Sequence, residues 1–176
     1  MKLRLVYLVL FHVTLVSGLA AQDYSGLEKI ELKDKESCSK NEDKVIECCD
    51  YILNSPINLV EKDENRMNAV KFIMRWMDQT PDYNFSLDES TAKVINTTPS
   101  LLGVMLASMA QYAIKKKTDD ANDLKYNSFV TFIKYCENPE NKVSLDDELK
   151  ELIKAKHENN LKQYLQIKSE GVIAML

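Results

Sequence analysis

Reactive side chains are few in this chain, and the spacing of its cysteines is the most informative. Cys38, Cys48, Cys49 and Cys136 are an even number and allow three pairings. Cys48 and Cys49 are neighbours on an expected helix, so their side chains diverge by about 100° and do not suit a mutual bond. A helix opening near Ser39 places Cys38 about 15 Å below Cys48 at ~1.5 Å per residue, too far for a local bridge. That leaves Cys136 as the natural partner of an N-terminal thiol. Cys49 shares the apolar face of Val45 and Ile52, so Cys49–Cys136 is the first choice in an oxidising compartment. The competing reading is four buried free thiols acting as small hydrophobes.

Beyond the N-terminal leader, histidine is reduced to His157, in the polar run AKHENNLKQ. A lone histidine has no partner for a triad or a multi-histidine zinc site. HExxH, CxxC, GxSxG and a glycine-rich phosphate cradle are all missing from the sequence, so no catalytic residue, metal ligand or cofactor is assigned. Carboxylate chemistry remains. Asp119-Asp120 and Asp146-Asp147-Glu148 stand where helix N-termini favour negative charge. A hydrolase would need two such groups across a cleft at roughly 5–9 Å, and the sequence singles out no pair.

The stretch RWMDQTPDYNFSL, Arg75 to Leu87, holds the only tryptophan. Trp76 falls on an apolar helical face, Pro81 stops the helix, and Tyr83 and Phe85 alternate toward one side of an extended segment. The stretch reads as a strap over the core. Its alternative is a binding surface made of Trp76, Tyr83 and Phe85, since aromatics with polar handles also line binding grooves.

These residues must be carried by helices. Apolar residues recur at three- and four-residue spacing, and no strand-length alternation is present, which predicts an all-α fold. About six helices are expected, as a compact bundle or as stacked helical hairpins. Ser25-x-x-Glu28, Ser39-x-x-Glu42 and Ser86-x-x-Glu89 match the capping-box pattern, and Ser144 is expected to cap the last helical region. The helix from Asp63 to Gln79 has so wide an apolar stripe, Met67 to Met77 with Phe72 and Trp76, that it is expected to be central. The helix after Thr98-Pro99 carries Met105 and Met109, with Gly103 and Ala107 small enough for a close neighbour. Lys115-Lys116-Lys117 ends that helix and complements its dipole.

The N-terminus reads as a secretory signal peptide over residues 1–21: Lys2 and Arg4, an apolar run from Leu5 to Val16, then Ser17, Gly18, Ala20 and Ala21. Its removal leaves 176 − 21 = 155 residues, 22–176, as a single helical domain with no transmembrane segment. The formal charge then moves from −4 to 21 − 27 = −6, which disfavours nucleic acid as a partner. The tail Val172 to Leu176 is apolar enough to dock on the body.

Trp76-Met77, Thr80-Pro81-Asp82-Tyr83 and Phe85 resemble the central motif of a family of uncharacterised exported helical proteins of Bacteroidota. Phe132 to Leu145, followed by Leu161 to Leu165, looks like that family's C-terminal part. The resemblance implies an exported all-helical protein and brings no activity with it. The expected function is a non-enzymatic interaction module in the periplasm or outside the cell, with an unknown protein or envelope partner. The alternatives are a carrier of a small apolar ligand in a methionine-lined pocket, between the helices of Met67–Met77 and Met105–Met109, and a carboxylate-dependent hydrolase.

Overall fold

The computed structural model describes residues 23–57 and 63–167; the leader and the apolar tail Val172 to Leu176 lie outside them. The described residues contain no strand, and six of their helices are seven residues or longer. After a 3-10 turn at Leu27–Lys29 come α1 (Lys35–Lys40), α2 (Glu42–Asn54), α3 (Glu64–Gln79), α4 (Glu89–Thr97), α5 (Leu102–Lys116), α6 (Ala121–Glu137), α7 (Asp147–His157) and α8 (Leu161–Tyr164), with further 3-10 turns at Pro99–Leu101 and Pro139–Asn141. Among the described residues no helix is long and apolar enough to cross a membrane.

Five of these eight helix starts are set by aspartate. Asp34, Asp63, Asp88, Asp120 and Asp146 each accept the backbone N–H three residues on, at 2.6–3.0 Å. Each thereby satisfies one of the unpaired amides of a helix N-terminus. Three of the expected serine caps are displaced as a result. Ser39 lies inside α1, whose capping box is Asp34 with Ser37, and Asn41 divides α1 from α2. Ser86 and Ser144 each stand two residues before the aspartate that caps, in the repeated triplet Ser-Leu-Asp. Ser25 caps nothing, because the turn at Leu27–Lys29 has no side-chain cap.

The central helix is α5, not α3. It packs against α2, α3 and α6 and buries nine of its side chains, Val104 to Ala110 together with Ala113 and Ile114. Gly103, Ala107, Ser108, Ala110 and Ala113 let neighbours approach on several sides. A Cβ added at Gly103 would stand 2.6 Å from Val70 Cγ2 of α3, so this crossing requires glycine. Helix α3 is one-sided: Ala69, Phe72, Ile73 and Trp76 are buried, while Met67 and Met74 are 36% and 47% exposed. Its two arginines clamp backbone. Arg66 donates to the carbonyls of Ile52 in the last turn of α2 and of Ser55 just past it, and Arg75 donates to those of Leu27, Glu28 and Ile30.

Candidate functional site

The aromatic side chains of the strap stretch pack into the core. Trp76 is fully buried, and its indole N–H donates to the Cys38 carbonyl at 3.0 Å. Its ring lies 5.6 Å from that of Tyr83 and 5.9 Å from that of Phe85, and the last two are 6.2 Å apart. Tyr83 is 9% exposed; its hydroxyl donates to Glu42 and accepts from Lys117, which also pairs with Glu42. These three aromatics therefore form a packed cluster that turns its rings inward. Lys115 reaches Asp50 at 3.6 Å, so two of the three lysines that close α5 are held by carboxylates of α2.

The expected Cys49–Cys136 bond is not formed. All four cysteines are buried and free, and no two stand at disulfide distance. Cys49 on α2 and Cys136 on α6 belong to helices that each pack on α5 and have little contact with each other. Burial pushes the thiols of Cys48 and Cys136 up to about 12 and that of Cys49 well above its ordinary value. Thiols held protonated in this way are poor nucleophiles and poor metal ligands. No group of three or more histidine, cysteine or acidic residues is placed to hold a metal among the described residues.

Three of the acids singled out by sequence are committed to structure. Asp120 and Asp146 are caps, Asp146 also accepts from the Thr98 hydroxyl at 2.8 Å, and Glu148 takes Lys93 and the Tyr164 hydroxyl. A shallow groove along α7 carries two carboxylates, Glu151 and Glu158. Glu151 lies within α7 and Glu158 caps its C-terminal end, where it pairs with Lys154 at 3.9 Å. His157 is exposed and pairs with Glu137, which also holds Lys156 at 2.7 Å.

What the fold does assemble is a cavity of about 150 Å³ between residues 84–91, α5, the first half of α6 and Gln166. Met105, Met109, Leu124 and Phe129 supply its apolar surface; all four are at most 4% exposed. Asn84, Ser86, Asn122 and Gln166 stand at the rim. Lys125 crosses the site, donating to Asp88 and to the Leu165 carbonyl, and so ties the start of α4 to the end of α8. Burial opposes ionisation of Asp88. Hydrogen bonds from Lys125, the Thr91 amide and the hydroxyls of Ser90 and Thr91 outweigh it and hold the carboxyl down at about 2. Ser128, buried beside Lys125, gives its hydroxyl to the Leu124 carbonyl at 2.6 Å.

This cavity does not join the two methionine groups. Met105 and Met109 line this cavity, whereas none of its described lining residues comes from α3, whose Met67 and Met74 point to solvent. Sequence reading missed Asn84, Asp88, Lys125 and Phe129 as one group. The only available signal was Asp88 directly before a helical run, and it does not name Lys125 as partner. No family model, curated protein or solved structure significantly matches this chain.

Proposed function

We propose that this chain is a non-enzymatic interaction module, exported to the periplasm or the space outside the cell, that anchors a macromolecular partner through the cavity beside Met105 and Met109. The leader-like N-terminus and the resemblance to exported Bacteroidota proteins support the location. One observation carries the binding mode: the cavity of about 150 Å³ has an apolar floor and a polar rim. Pockets for whole drug-sized ligands run to roughly 300–1,000 Å³. An apolar cavity of ~150 Å³ takes a benzene-sized group. A single anchoring side chain fits that volume and a lipid chain does not, and filled pockets of this kind dominate the energetics of many interfaces.

The carrier reading is favoured only by the thioethers of Met105 and Met109, which adapt to varied shapes. Native mass spectrometry of the protein purified from its own host separates the two. The module reading expects the bare chain, beginning within Leu19 to Asp23, alone or as an oligomer. A co-purifying lipid-sized mass establishes the carrier, and a retained Met1 on the exported protein removes the signal-peptide argument.

A further inference from the structure

Resting on the reading of the cavity as an anchor pocket, we infer that its occupant is an uncharged peptide segment. Such a segment inserts one leucine- or phenylalanine-sized side chain and lays its backbone amides across the rim. The volume of about 150 Å³ sets the size of the inserted group. The floor of Met105, Met109 and Phe129 sets its polarity, and flexible thioethers accommodate branched or aromatic shapes alike.

Charge selects against acids and amines. Asp88 and Lys125 are the only charged groups among the described lining residues, and they neutralise each other. A ligand carboxylate must compete with Asp88 for Lys125, and a ligand ammonium must compete with Lys125 for Asp88. Either way one partner of a partly desolvated pair is left uncompensated. The rim offers amides instead. Asn84, Asn122 and Gln166 are exposed at the mouth, and their side chains make no hydrogen bond among the described residues. Each presents one carbonyl acceptor and an NH₂ donor, the complement of a peptide group.

Methionine-methyl NMR on the full chain tests this, because Met105 and Met109 report the cavity while Met74, exposed on α3, serves as an internal control. The probes are N-acetyl-leucinamide and N-acetyl-phenylalaninamide, the charged analogues N-acetyl-leucine and leucinamide, and benzene as a bare hydrocarbon. The capped amides are expected to shift Met105 and Met109 and leave Met74 in place. The charged analogues should bind roughly tenfold more weakly through the burial of an unpaired charge. Benzene should bind roughly tenfold more weakly for want of rim hydrogen bonds. Ala121→Phe, at an exposed position on the mouth, should suppress all the shifts while the helical circular dichroism stays intact.

An acid or amine that binds as tightly as the capped amides overturns the uncharged ligand and leaves the anchor pocket standing. Benzene binding as tightly as they do overturns the peptide. Full affinity in Ala121→Phe places the binding elsewhere and overturns the proposal. If no compound moves either methyl, the anchor-pocket reading itself fails.

Discussion

Between Trp76 and Phe85 three rings meet with centroids 5.6–6.2 Å apart, whereas from Ser86 to Thr97 only Thr91 and Val94 are buried. The two stretches are consecutive in the chain and are held by different forces. The first is fixed by aromatic burial, by a buried indole hydrogen bond whose lost partner would be costly, and by the Tyr83 hydroxyl held between Glu42 and Lys117. The second is fixed mostly by surface-reaching polar contacts: Lys125 with Asp88, Lys93 with Glu148, and the Thr98 hydroxyl with Asp146. In each ion pair one partner remains open to solvent, which weakens it relative to a fully buried contact. The cavity lies under the second stretch. Binding sites draw on the less stable parts of a fold, since a segment held by few apolar contacts opens at low cost.

The largest test of this contrast is Trp76→Ala. Removing a fully buried ring should lower stability by ~3–5 kcal/mol in urea titrations. In the parent protein the single tryptophan should emit at short wavelength and resist iodide. Readily quenched, red-shifted emission would place Trp76 in solvent and erase the distinction.

Next in size is Gly103→Ala. Its new methyl meets Val70, whose β-branched side chain has little freedom to turn away. Overpacking of about 1–3 kcal/mol is partly offset by the ~1 kcal/mol that alanine gains over glycine in a helix. The net loss should be reversed in the double variant with Val70→Ala, and a double-mutant cycle showing no coupling would mean that α3 and α5 do not approach so closely.

Asp88→Ala should cost about 1 kcal/mol through loss of the α4 cap. It should speed amide exchange in Glu89–Thr97 while leaving the Trp76 emission unchanged. The same carboxyl gives a pH test. Its folded-state value, about 2, lies below the ordinary 3.8, so its stabilising contribution is complete above about pH 4 and is lost as the pH falls toward 2. Protection of α4 should fall in that window in the parent, and the fall should be shallower in Asp88→Asn. Equal loss around Trp76 over the same window would show that the two stretches unfold together.

The smallest effect is expected for Leu87→Ser. Leu87 is 51% exposed just before α4, so the change should stay within about 0.5 kcal/mol. A larger loss would reveal a packing contact that tightens the second stretch.

Much of the fold was legible from short-range pattern alone. The 3.6-residue period gave the helical class, Asp63 and Pro81 bounded α3, Gly103 marked a close crossing, and Trp76 with Tyr83 and Phe85 read as a strap. Each of these rests on residues within a few positions of one another, where backbone geometry and side-chain size act directly. The caps at Asp88 and Asp146 were misread because Ser86 and Ser144, two residues earlier, satisfy the same local rule. Which oxygen meets the free amides depends on where the chain enters the bundle.

Tertiary structure alone decided which helix is surrounded. Periodicity measures the width of an apolar stripe but not the number of neighbours that cover it. The stripe of α3 is half open to water, while α5, with its small residues, is covered from several sides. It also decided the fate of the cysteines, because α2 and α6 pack on α5 and not chiefly on each other, and it created the cavity. Lys125 meets Asp88 across 37 residues of sequence and Leu165 across 40. No local rule encodes such pairings, which follow from how the remaining helices fill the space around α5.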